Sequence, residues 1–230
     1  MSISKFEKEN TVDPHGQLEP SEFVSFTYQG EATKVLFVGN SITRHEINEK
    51  LGWLGDWGMA ASTIDKDYVH QTVRMLEERG MKVDYCVAQV AEWEFRFNED
   101  LVPLEEHYSN ARAYAADLVI IRAGENMRRC AAMENEGIEK GKPYFDNMIR
   151  YFCSNPNARV IVTDSFWPME ERDRFIREIC QERGYTFCKI SDLGVDEKYM
   201  ATGLYRSKAV CRHPGDLGME EIAKRLVALI

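Results

Sequence analysis

Three residues of this chain have the types that acyl-transfer chemistry needs; two lie just past stretches that read as strands, and the third comes after the last such stretch and just before the terminal helix. They are Ser41 in Gly39-Asn-Ser-Ile-Thr43, Asn126 in Gly124-Glu-Asn126, and His213 in Val210-Cys-Arg-His-Pro214. A serine hydroxyl is a weak nucleophile at its own pKa and needs a base within hydrogen-bond reach, most often histidine. A tetrahedral oxyanion needs preorganised donors, which an asparagine amide or a backbone N–H can supply. Each residue alone has a plainer explanation: a turn serine bonding its own backbone, a helix-capping asparagine, a loop histidine beside a proline. Only their convergence would make a site.

The elements that must bring them together follow from hydrophobic periodicity. Lys34-Val-Leu-Phe-Val38, Met81–Ala88, Asp117–Arg122, Arg159–Thr163 and Tyr185–Ile190 are short apolar runs bounded by turn residues, as expected of buried strands. Between them lie helical patterns. One opens at a capping box, Ser62-Thr-Ile-Asp65, and ends at Gly80. Others cover about 104–116, 139–153, 169–183 (closed by Gly184) and 217–229. Alternating strands and helices specify right-handed βαβ units. The expected fold is a three-layer α/β/α, flavodoxin-like domain with a parallel sheet of about five strands. In such sheets ligands bind beyond the carboxyl ends of the strands, where Ser41, Asn126 and His213 would stand. Residues 1–33 read as an appended arm, with Phe23–Tyr28 as a short edge strand, and 34–230 as the catalytic domain.

Composition narrows the partners. The formal charge of −9 argues against nucleic acid or an anionic membrane surface. The N-terminal residues lack the apolar stretch of a signal peptide, and no run approaches a membrane span. The six cysteines are scattered without a C-x-x-C, so neither a disulfide framework nor a metal site is expected. Neither a G-x-G-x-x-G nor a P-loop occurs. The expectation is a cytoplasmic protein with no metal or organic cofactor, acting on a small molecule; self-association stays open.

In their order on an α/β chain, Gly39-Asn-Ser-Ile-Thr43, Gly124-Glu-Asn126 and His213-Pro214 resemble the motifs of the SGNH hydrolases, a branch of the GDSL esterases and lipases. The resemblance runs from about Lys34 to Ile230 and is similar in detail to an uncharacterised bacterial subgroup. It implies Ser41 as nucleophile, His213 as general base, and Asn126 with the Ser41 backbone N–H as oxyanion donors. The family usually places an aspartate three residues before the histidine, where this chain has Val210. It also usually has a glycine donor after the second strand, where Gln89-Val-Ala-Glu-Trp93 leaves only a backbone N–H, such as that of Ala91. The histidine then needs another acceptor: a backbone carbonyl near Val210, or Asp216. We expect the carbonyl, with Asp216 capping the terminal helix.

Asn40, Trp53, Trp57, Trp93, Glu125 and Trp167 are candidates for substrate contact, with satellite packing as the alternative for the aromatics. Arg44 and Arg122 are candidates for a polar substrate. His45 is a rival base, while His15, His70 and His107 read as surface or structural. The expected activity is serine ester hydrolysis through an acyl-enzyme, on a small ester such as an O-acetylated carbohydrate. The alternatives are acyl transfer at the same site, or a ligand-binding module that keeps the fold without catalysis.

Overall fold

The computed structural model describes residues 23–130 and 138–230. Most of the arm, residues 1–22 with His15, lies outside them. Six strands form one sheet: β1 (Val24–Thr27), β2 (Thr33–Gly39), β3 (Val83–Gln89), β4 (Leu118–Arg122), β5 (Arg159–Thr163) and β6 (Thr186–Cys188). Their order is β1-β3-β2-β4-β5-β6. All pair in parallel except β1, which runs antiparallel along the edge of β3. The five expected parallel strands are β2 to β6, and the edge strand expected over Phe23–Tyr28 is β1.

Eight helices cover the sheet among the described residues: α1 (Tyr68–Glu78), α2 (Ala91–Phe95), α3 (Val102–His107), α4 (Ser109–Ala113), α5 (Lys142–Phe152), α6 (Glu170–Arg183), α7 (Lys208–Cys211) and α8 (Asp216–Val227). The period of two along each strand divides the core into two layers. Val35, Phe37, Tyr85, Val87 and Ile120 pack against α1 and α8. Leu36, Val38, Cys86, Val119, Ile121 and Val162 face α2 to α6 on the opposite side. With both faces covered, the strands need the near-continuous apolar runs seen in the sequence.

Two helix starts differ from expectation. The capping box does not open α1: Asp67 caps it, its carboxylate accepting the His70 N–H at 2.8 Å. Ser62 is held elsewhere, by Asp216. The helical region near 104–116 is two short helices, α3 and α4, broken at Tyr108. All six cysteines are free thiols, and no described helix is long and apolar enough to cross a membrane.

Candidate active site

Ser41 is delivered by a tight turn at the carboxyl end of β2. The turn depends on Gly39, where a Cβ would overlap Thr43 Oγ1 and stand 2.6 Å from the Arg122 carbonyl on β4. Close approach of two backbones therefore requires glycine here. The Thr43 and Arg44 N–H groups donate to the Asn40 carbonyl at 2.8 and 3.0 Å, closing the turn. The Ser41 N–H itself has no acceptor among the described residues, and a free N–H in a turn of this kind is a ready anion donor.

His213 lies between α7 and α8. Its Nε2 is 2.9 Å from Ser41 Oγ, and its Nδ1 is 2.9 Å from the carbonyl oxygen of Ala209. A carbonyl only accepts, so Nδ1 must carry the hydrogen and Nε2 must present its lone pair to the serine. The acceptor is thus a backbone carbonyl, one residue before Val210. Val210 itself is wholly buried against Trp53, Met59 and Ala60. Asp216, the other candidate orienter, is turned away: it accepts from the Ser62 N–H at 2.8 Å and the Ser62 hydroxyl at 2.7 Å. Nor does it cap its own helix, because the cap position is Gly215. Asp216 ties the loop before α1 to the first turn of α8. Asp216→Ala should therefore lower unfolding free energy by about 1–2 kcal/mol while leaving kcat within about twofold, as read from denaturant melts beside initial rates.

The imidazole is held neutral. Burial brings its pKa down to about 4, the Ala209 carbonyl opposes this, and Arg122 and His45 reinforce it. The edge of one ring meets the face of the other between Trp167 and His213, with centroids 5.2 Å apart at 87°. The imidazole within hydrogen-bond reach of Ser41 Oγ is that of His213, while the side-chain bond of His45 runs from Nδ1 to the Glu46 carbonyl at 2.7 Å.

Asn126 lies on the turn after β4, reached through Gly124 with φ +108°, a conformation that favours glycine. One Nδ2 hydrogen goes to Glu94 Oε2 at 2.5 Å. The second has no acceptor among the described residues, so the amide keeps one donor for a developing oxyanion. Glu94, on α2, was not among the expected residues. It is wholly buried and also accepts from the Gly124 N–H and from Asn40 Nδ2, the latter at 3.0 Å. Burial pushes its carboxyl up, and the neighbouring Glu125 charge adds to this. The short helix that carries it offered no periodic signal.

Several candidate substrate contacts are held by internal bonds, Asn40 and Glu125 among them, though both also line the cavity over the site. Glu125 takes two bonds from Arg122, at 2.9 and 3.1 Å, and one from the Phe166 N–H at 3.2 Å. Burial alone would raise its carboxyl, but Arg122 and Arg172 outweigh it and keep the group well below the usual carboxylate range. Asn40 is buried too, its amide shared between Glu94 and Glu125 and its carbonyl engaged by Arg122. Arg122 and Arg44 are spoken for, Arg44 by Asp56 at 3.0 Å. Trp53 and Trp93 are buried, Trp93 among Phe97 and Phe145. Trp57 packs on Trp53, its Nε1 donating to the Ala61 carbonyl at 3.0 Å. The Ala91 N–H is taken by the Gln89 side-chain carbonyl at 3.0 Å.

A cavity of about 370 Å³ opens over these groups, with Ser41, Asn126, His213, Ala91 and Trp167 among its walls. Of the four tryptophans, only Trp167 lines it. No group of histidine, cysteine and acidic side chains able to hold a metal ion occurs among the described residues.

The mostly parallel α/β/α sheet that carries these residues on its carboxyl edge has counterparts among solved structures. The chain has the fold of the SGNH hydrolases, the group of GDSL lipases and acylhydrolases. It superposes on a lipase/acylhydrolase from Enterococcus faecalis with a TM-score of 0.53 at 14% identity, covering 86% of this chain and 95% of that one. A protein described as a GDSL-like lipase from Parabacteroides merdae gives 0.56 at 15%, covering 86% and 97%. A family two carbohydrate esterase from Clostridium thermocellum, solved with cellohexaose, gives 0.54 at 15%, covering 89% of this chain and 65% of that one. No family model and no curated protein matches the chain.

Proposed function

We propose that the protein is a serine esterase that cleaves a small ester through an acyl-enzyme. The observation that carries this reading is the 2.9 Å contact between Ser41 Oγ and His213 Nε2 at the floor of an open cavity. Ser41 Oγ attacks the ester carbonyl carbon as Nε2 takes its proton. The oxyanion forms against the Ser41 N–H and the unengaged hydrogen of Asn126 Nδ2. The imidazolium then protonates the leaving alkoxide, and a water deprotonated by Nε2 releases the acid. The cavity is near the lower end of the ~300–1,000 Å³ range of ligand pockets, which suits a small acyl group on a compact alcohol. An acetylated sugar is one such alcohol, and the carbohydrate esterases among the fold neighbours support it.

Hydrolysis of p-nitrophenyl acetate by the wild type and by Ser41→Ala tests the reading; equal rates would end it. The pH profile adds a second check. His213 acts as base only when neutral, so activity is present above its folded pKa and lost as pH falls through it. With that value at about 4 rather than the ordinary 6.5, kcat/KM should stay level from pH 8 to about 5. An acid limb centred near 6.5 contradicts the half-buried, carbonyl-bound imidazole. Because the unfolded chain takes up this proton first, stability falls as pH drops from about 6.5 to about 4.

A further inference from the structure

The charges around the cavity are unlike those of the rest of the protein. The chain has 38 acidic and 29 basic side chains, and most arginines are engaged. Arg96, Arg183 and Arg225 pair with surface carboxylates, and Arg44 and Arg122 with Asp56 and Glu125. Of the few arginines without a described side-chain partner, Arg150, Arg177 and Arg206 lie away from the cavity and three stand at it. Arg128 and Arg129 follow Asn126 closely on one wall, and Arg212 precedes His213 on another. All three are exposed, and none has a side-chain partner among the described residues. Among the described residues the one carboxylate in the lining, Glu125, is already neutralised by Arg122. The remaining walls include the apolar Leu51, Phe95, Trp167 and Met169.

We propose that this rim is a subsite for an anionic group, so that the substrate is a small ester bearing a carboxylate, sulfate or phosphate on an apolar or ring-shaped body. The inference rests on the esterase reading and specifies its substrate class. Guanidinium forks match the planar or tetrahedral oxygens of such anions and carry charge at every working pH. An anion would otherwise be repelled by a protein of net charge −9. A local cationic mouth in a concave, partly apolar site focuses the field where it is needed.

The test uses two acetate esters of similar shape, 4-acetoxybenzoate and its neutral methyl ester, each rate normalised to the ester's alkaline hydrolysis. The wild type should favour the anion by about tenfold in kcat/KM, and added salt should erode the preference. Arg128→Gln/Arg129→Gln/Arg212→Gln should bring the ratio towards one, whereas the remote exposed Arg150→Gln should not. Calorimetric binding of 4-hydroxybenzoate to Ser41→Ala, with and without the three arginine changes, reads the subsite without turnover. Ester hydrolysis with no anion preference overturns the subsite and leaves the esterase reading standing. Arginine-dependent binding with no Ser41-dependent hydrolysis of either ester overturns the esterase reading alone. Binding that survives loss of all three arginines removes the subsite.

Discussion

His213→Ala should lower kcat for p-nitrophenyl acetate by about 10²–10⁴-fold, the usual contribution of a positioned general base, with KM changed far less. In the proposed mechanism the imidazole does two things that alanine cannot: it takes the Ser41 proton and returns it to the leaving oxygen. The drop is expected to be smaller than in a full triad, and the reason is electrostatic. A carboxylate behind the ring both fixes the tautomer and stabilises the imidazolium that forms. The Ala209 carbonyl fixes the tautomer equally well, since it can only accept, but as a neutral dipole it supports less positive charge. The wild type therefore starts from a lower rate. Stopped assays with the protein's fold verified by circular dichroism would measure the effect. A folded His213→Ala enzyme with wild-type turnover would remove histidine from the mechanism and bring the ligand-binding alternative forward.

Glu94→Ala is expected to be the most damaging single change to stability among the residues around the site, at about 3–5 kcal/mol. Three donors (the Gly124 N–H, Asn126 Nδ2 and Asn40 Nδ2) converge on this buried carboxyl. Asn40 retains Glu125, but the other two lose their only described acceptor at about 1–3 kcal/mol each, and the emptied volume adds to the cost. Glu94→Gln separates packing from positioning. It keeps the volume and one acceptor oxygen, yet its amide can oppose Asn126 Nδ2 donor to donor. Asn126 then has to turn its oxygen towards the introduced amide, moving Nδ2 from the oxyanion position. Stability should fall by only about 1–2 kcal/mol, while kcat falls about 10-fold or more at nearly constant KM. Urea unfolding beside steady-state kinetics checks both. Unchanged kcat in Glu94→Gln would show that Glu94 serves packing alone.

These two residues mark the limits of what the sequence carries. The β5 run Arg159–Thr163 was legible because a β-branched apolar stretch flanked by polar residues has few other uses, and Gly184 closes α6 with φ +70° as its position suggested. The order of Ser41, Asn126 and His213 was legible because two follow strands and the third precedes the terminal helix, and parallel topology puts such loops on one edge. Glu94 was not. Ala-Glu-Trp-Glu-Phe carries two carboxylates two positions apart, and only the packing of a five-residue helix decides that Glu94 is buried and Glu92 is not. Arginines show the same limit. Arg122 and Arg128 are equal in the sequence, but one lies under the site against Glu125 and the other on its rim.

By itself the sequence determined the layered α/β architecture, the place of Ser41 at the end of a strand, and the absence from the position three before the histidine of a carboxylate that could orient it. Those properties rest on periodicity, turn chemistry and residue identity, which are local. Tertiary structure decided what orients His213, since a backbone carbonyl belongs to every residue and only the meeting of α7 with the following turn selects that of Ala209. It also decided which tryptophan faces the cavity and which arginines stand on its rim. Those depend on which side chains distant segments bring within a few ångströms, and no local pattern records that distance.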